Sequence, residues 1–352
     1  MFFSLVAGVK VKVRPLFRVG FFLLGLAVAS TCNLLRAEVF ILPTPNQAIF
    51  KSGGEAEYFV PTPGKTWVSG TFGCVRTDGR QMHEGLDIKC TQRDKRGEPT
   101  DPVYAAAAGR VAYMNENTGL SNYGRYIVLE HQIEGLQVYT LYAHLNRFAE
   151  GLKEGDRVKQ GETIAIMGRT SNTRSGISKE RAHTHFEIDL RLNDRFTAWH
   201  KARLPGQRND HGNWNGRNFA GIDPRQVLLE QRRLGSKFSL LKFIQSRTEL
   251  CRVEVKDTKF QYVRDYAPLI KRNPTAEKAG VAGYEIALDF NGVPIELIPR
   301  SAKELEGSAK VRLISVNISE QKENPCRRLV SPRGKGWVLT NNGSQLIDLL
   351  TY

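Results

Sequence analysis

The 352-residue chain has no apolar run long enough to cross a bilayer as a helix. Its most apolar stretch, Val19 to Ala29, falls short of the ~20 residues that a membrane span requires, so a permanent anchor is second choice. There is no Cys-X-X-Cys, which argues against zinc held by cysteine. No internal repeat or low-complexity tract occurs. Acidic residues are scarce beside basic ones, 36 against 51, leaving a formal net charge of +15. Lys10, Lys12, Arg14 and Arg18 account for part of that excess, and the rest of the chain stays basic. Such a balance is either a solvated excess of lysine and arginine or a surface for an anionic partner: nucleic acid, membrane or an acidic wall polymer.

What is present is the composition of a soluble globular protein, 41% hydrophobic and 25% charged, with length enough for two domains. Residues 1–37 are read as a signal peptide or N-terminal anchor. Basic residues precede the apolar run, and Ala27-Val28-Ala29 offers a small-residue cleavage site. Ala29-Ser30-Thr31 before Cys32 matches a lipid-attachment site poorly. Export places the protein in the periplasm or cell envelope. It argues against a nucleic-acid partner, for a wall polymer, and for membrane contact only if the leader stays uncleaved. With Cys32 set aside, four cysteines remain, two in each half. They are expected either as disulfides, Cys74 with Cys90 and Cys251 with Cys326, or as four buried thiols.

The expected fold is mostly β, an antiparallel sheet domain followed by a second, small β-rich domain. Residues 38–66, with Pro43-Thr44-Pro45 and Pro61-Thr62-Pro63, read as an extended lead-in. Residues 67–229 alternate apolar and polar positions between glycine turns, as in 109–113, 126–130, 137–142 and 163–167. Residues 230–242 read as a helical linker and 243–352 as the second domain. In that domain Asn291-Gly292 marks one hairpin, and 337–343 is expected to form another.

Three stretches carry chemistry. In Ala182-His183-Thr184-His185-Phe186-Glu187-Ile188 the strand period aims His183 and His185 at one side. In His83-Glu84-Gly85-Leu86-Asp87 a straight strand would hold His83 and Asp87 about 13 Å apart, and Gly85 permits the bend that brings them together. In Tyr142-Ala143-His144-Leu145 a histidine closes an alternating strand. Two nitrogens and a carboxylate suit a catalytic zinc with a position left for water. His131 reads as structural, and His200 and His211 read as solvated in a polar loop, 193–218. Glu187 either orients a ligand or pairs with an arginine.

In order and spacing these three stretches resemble those of the LytM/lysostaphin-type zinc metallopeptidases. Phe72-Gly73, Arg76, the run 102–111, Glu154 to Val158, Gly161-Glu162 and Gly168 add to the likeness. The basic insertion 91–100 and the loop 193–218 depart from it and bear on substrate preference. The resemblance covers residues 67–229 and implies that His83, Asp87 and His185 ligate one Zn2+. It implies His144 and His183 as the unligated catalytic pair, with the division of labour between them open. It further implies an endopeptidase acting on peptide cross-links of peptidoglycan. The competing expectation is a non-catalytic relative that binds the wall and activates another hydrolase. The C-terminal domain is expected to bind wall or an envelope protein.

Overall fold

A computed structural model of the chain describes residues 38–174 and 176–352. The leader and Cys32 lie outside the described residues. Among the described residues no helix is long and apolar enough to cross a membrane.

The chain is mostly β, and its strands pair antiparallel. Strands β1 (Gly73–Arg76) and β2 (Gln81–His83) form a hairpin, and β3 (Leu86–Lys89) follows at once. Then come β4 (Pro102–Tyr104), β5 (Gly109–Asn115), β6 (Tyr126–Ile133), β7 (Leu136–Ala143) and β8 (Leu145–Phe148). After them lie β9 (Arg157–Val158), β10 (Thr163–Met167), β11 (His183–Arg191) and β12 (Phe219–Ile222). The central sheet has the order β12-β11-β7-β6-β5-β9, with β3 also paired to β11. β4, β10 and β8 make a smaller sheet.

Alternation along the strands splits the central sheet into two faces. Ile127, Leu129, Val138, Tyr142, Phe186, Ile188 and Leu190 join the main core. Tyr126, Val128, Tyr139, Leu141 and Ala143 form a second apolar layer with Phe219, against which Tyr113, Tyr123 and Trp214 pack. His183, His185, Glu187 and Asp189 alternate with the first set, so they share the second face.

Trp214, from the segment expected as a polar loop, packs on that face, and elsewhere in this segment the structure differs from the expectation. Residues Phe196–Arg203 form a helix whose Phe196, Trp199 and His200 are buried. An i, i+3, i+4 triplet of rings is a helical face, obscured in the sequence by surrounding lysine, arginine and asparagine. His211 is buried too, with Nδ1 3.1 Å from the Tyr113 hydroxyl. Neither histidine is solvated. His131 is structural as read: its ring contacts the Ala108 carbonyl at 2.9 Å and the Thr140 hydroxyl at 2.7 Å.

The lead-in packs on the molecule with two short helical turns, Ala48–Phe50 and Glu55–Tyr58. The Gln231 side chain clips the Phe40 backbone at 2.9 and 2.6 Å, and the Val60 N–H donates to the Asp87 carbonyl at 2.9 Å. The linker region is helical at Pro224–Leu234 and Leu240–Gln245.

The C-terminal region builds its own sheet from β13 (Cys251–Val255), β14 (Val281–Leu288), β15 (Pro294–Ser301) and β16 (Val311–Val316), ordered β15-β14-β13-β16. The expected Asn-Gly turn joins β14 to β15, with Gly292 at φ 89° and Asp289 Oδ1 accepting from the N–H groups of Asn291 and Val293. The second hairpin is displaced. β17 (Val330–Arg333) and β18 (Gly336–Leu339) turn before Trp337, and Thr340 instead caps a helix at Asn341–Leu350. Its hydroxyl accepts from the Gly343 N–H, and burial of Leu346, Ile347, Leu349 and Leu350 outweighs the local Asn-Gly turn signal.

One apolar core runs through both sheets, from Ile88 and Phe186 to Val253 and Leu297. The Asn291 amide donates to the Gly221 carbonyl at 2.8 Å across the join. The bridge is Cys74–Cys326, with Cα atoms 5.4 Å apart, not the expected pairing within each half. Cys90 and Cys251 are buried free thiols. Pairing by proximity in sequence fails because the 324–328 loop docks on β1.

Candidate metal centre

Strand register assembles the site. β3 pairs with β11 so that Asp87 faces His185, and β7 pairs with β11 so that Ala143 faces His185. His144 therefore follows directly beside the pair. Gly85 makes the bend between β2 and β3 possible. A Cβ there would lie 2.3 Å from the Phe186 carbonyl oxygen and 2.9 Å from Glu187 Cγ, so only glycine lets the turn lie flat on β11.

His83 Nε2, Asp87 Oδ1 and His185 Nδ1 form a triangle with sides of 3.1, 3.0 and 3.2 Å. Metal–ligand bonds of 2.0–2.1 Å at tetrahedral angles give ligand–ligand edges of about 3.3–3.4 Å. The three donors thus fit a small divalent ion with little rearrangement, and their chemistry, two imidazoles and a carboxylate, is that of zinc sites. Each ring's other nitrogen is engaged. His83 Nδ1 donates to the Thr71 carbonyl at 2.7 Å, and His185 Nε2 donates to Glu187 Oε1 at 2.7 Å. Those bonds leave the inward nitrogens free to ligate. Tyr123 donates its hydroxyl to the same Glu187 oxygen at 2.8 Å.

His183 and His144 stand beside this triangle, their ring centroids 4.7 Å apart. His183 Nδ1 donates to the Arg181 carbonyl at 2.7 Å and its Nε2 lies 3.4 Å from Asp87 Oδ1. His144 Nδ1 donates to the Thr170 carbonyl at 2.9 Å. His144 adopts φ 60°, a left-handed conformation costing a non-glycine residue of order 1–3 kcal/mol. The backbone around it enforces the conformation: its N–H donates to the Tyr123 carbonyl at 2.9 Å, and Gly168 packs where a Cβ would lie 2.7 Å from the His144 oxygen. The turn aims the imidazole back over β11. His83, Asp87, His183 and His185 are buried, whereas His144 is partly open.

The charges are tightly matched. Burial works against ionised Asp87, yet the charges of His83 and His183 hold its carboxyl well below the usual range. Arg76 donates to Asp87 Oδ2 at 2.5 Å, so one carboxylate oxygen faces the triangle and the other is neutralised. Burial lowers His185, but its bonds to Asp87 and Glu187 prevail and lift it to about 10. His144 is held well below its usual value by burial and then by the charges of His183 and His185. All five site residues expected from the sequence thus meet in one place. Tyr123 escaped notice, and Arg76 was noted only as part of a motif, since no local pattern ties either to residues on distant strands.

Residues 81–196 match peptidase family M23, and the match contains all five of these residues. The likeness read from the three motifs is borne out. Among curated sequences, a lipoprotein NlpD/LppB homolog of Pseudomonas aeruginosa is 33% identical over 128 residues, 36% of this chain and 35% of that protein. The uncharacterized lipoprotein YgeR of Escherichia coli is 33% identical over 152 residues, 42% of this chain and 50% of that one. The chain therefore spans half or less of the length of these relatives. A zinc-containing peptidase from Vibrio cholerae, of known structure, is 29% identical with a TM-score of 0.23, covering 30% of this chain and 26% of that one.

Proposed function

We propose, from the M23 match over residues 81–196, that this chain is an exported zinc endopeptidase hydrolysing peptide cross-links of peptidoglycan. The observation that carries the reading is the meeting of His83, Asp87 and His185 around one point, with His144 and His183 alongside. Zinc held by those three residues would supply Lewis acidity and a water whose pKa falls to about 7.

The protein's own groups do the rest. The Nδ1 bonds of His144 and His183 to carbonyls leave Nε2 of each unprotonated and able to accept a proton. We assign the water's proton to His183, whose Nε2 lies 3.4 Å from Asp87 Oδ1. The resulting imidazolium can then protonate the leaving amine. His144, kept neutral by burial, accepts a hydrogen bond and orients the attacking water. The basic excess of the chain suits an anionic wall, and relatives named as lipoproteins suit an envelope setting.

Purified full-length protein is expected to carry about one zinc per chain and to release cross-linked peptides from purified sacculi. His185→Ala should abolish both. Product masses identify the bond. Stoichiometric metal without cleavage of any wall substrate would overturn the enzyme in favour of a wall-binding activator.

A further inference from the structure

Strand β16 is an open edge of the C-terminal sheet: β13 pairs on one side, and among the described residues no strand pairs on the other. Lys256 donates its N–H to the Lys310 carbonyl at 2.9 Å, which fixes which backbone groups face β13. By antiparallel alternation Lys310 and Arg312 turn theirs toward β13, whereas Val311 and Leu313 turn theirs outward. Beyond Leu313 the register slips and Ile314 stands opposite no residue of β13, so the regular open edge is the Lys310–Leu313 end. A bare edge of this kind is a template for another strand, and folded proteins ordinarily cover or blunt it.

A groove of about 430 Å3 lies beside that end. Val311 and Leu313 line one side and Trp337 and Leu339 of β18 another, with Asp348 from the helix Asn341–Leu350 completing it. The four apolar side chains are half-buried, neither sealed in the core nor fully in water. Asp348 is the one carboxylate on the groove among the described residues. It is already held by the Arg203 guanidinium at 2.7 and 3.1 Å and by Trp199 Nε1 at 2.7 Å. The cations are less committed. Arg333 and Lys335 are exposed in the β17–β18 turn just before Trp337 and pair with no carboxylate among the described residues. Lys310, also exposed, reaches Asp257 only at 3.5 Å.

We propose that the β16 edge receives an extended, acidic segment of a partner protein as an added β-strand. Alternate backbone groups of that segment pair with Val311 and Leu313, its apolar side chains enter the groove against Trp337, and its carboxylates meet Lys310, Arg333 and Lys335. An anionic lipid or glycan would answer the cations and leave the strand edge and the apolar walls unmatched. The inference is independent of the peptidase reading, since it gives the C-terminal sheet a partner whatever the metal centre does.

The test selects peptides of about ten residues from a random library with full-length protein as bait, and measures the enriched sequences by calorimetry. Acidic residues alternating with apolar or aromatic ones should be enriched. One edge bonds every second residue, so methylating alternate peptide nitrogens should abolish binding in one register and weaken it by no more than about threefold in the other. The double change Arg333→Glu and Lys335→Glu, on an exposed turn, should weaken binding by about tenfold or more, and raised salt should do the same in the unaltered protein. Trp337→Ala should also cost about tenfold. Circular dichroism melts of both variants report whether the fold is kept, and the turn variant, which removes no apolar side chain, decides the matter if Trp337→Ala unfolds. No enrichment, or enriched peptides that bind both folded variants as tightly as the unaltered protein, would overturn the proposal. Tolerance of methylation in both registers would rule out strand addition and overturn it too. Binding of phosphatidylglycerol vesicles or purified sacculi that is lost in the turn variant, with no peptide enriched, would give this surface to lipid or wall instead.

Discussion

Glu187 Oε1 lies 2.7 Å from Nε2 of His185, two residues away on the same face of β11. The carboxylate selects the tautomer that frees Nδ1 for the metal and resists rotation of the ring. Glu187→Gln keeps the volume and removes the charge. Zinc affinity, measured by competition with a chelator, should fall about 10- to 100-fold while the folded content by circular dichroism stays the same.

On the proposed mechanism His144 and His183 contribute to turnover and not to the metal-ligand set. His144→Ala and His183→Ala proteins should retain close to stoichiometric zinc and lose about 10²- to 10⁴-fold in kcat. Metal analysis alongside cleavage rates checks this. Loss of zinc in the His183→Ala protein would move that residue into the ligand set.

His131 gives the fold an acid limit. Burial holds it at about 4 against 6.5 for the free side chain. Between those values the unfolded chain binds more protons than the folded one, so acid favours unfolding. Its contribution is complete above about pH 6.5 and is lost as pH falls toward 4, by up to about 3 kcal/mol. Urea midpoints measured from pH 7.5 to 4.5 should decline across that window, less steeply in a His131→Gln protein.

The Cys74–Cys326 bridge closes a span of 252 residues. Chain-entropy reasoning assigns such a loop up to about 5 kcal/mol. Cys326→Ser should lower the melting temperature. Because Cys74 sits on β1 in the hairpin that ends at His83, the same change should weaken zinc binding. Mass analysis under non-reducing conditions verifies the pairing.

The sequence showed the metal centre better than it showed the molecule around it. His83, Asp87 and His185 were legible because strand period and one glycine dictate where their side chains point, whatever packs elsewhere. The strands at 109–113, 126–130, 137–142 and 163–167 were legible for the same reason. What escaped depends on contacts between remote segments. Cys74 meets Cys326 only because a C-terminal loop docks on β1. His211 is buried against Tyr113 and Tyr126 from distant strands, and His200 packs on Phe196 of its own helix, which enters the main core; no local polarity count reveals either. At Thr340 a capping hydroxyl competed with an Asn-Gly pair, and the helix prevailed because its apolar residues had a core to enter.

Cys326 follows its partner by 252 residues, and that partner belongs to the hairpin carrying His83. The order of synthesis then matters: the strand that presents His83 can be locked only after residues 75–325 have emerged. A product truncated ahead of that cysteine would carry His83, Asp87, His144, His183 and His185 but lack the latch on the hairpin that presents the first of them.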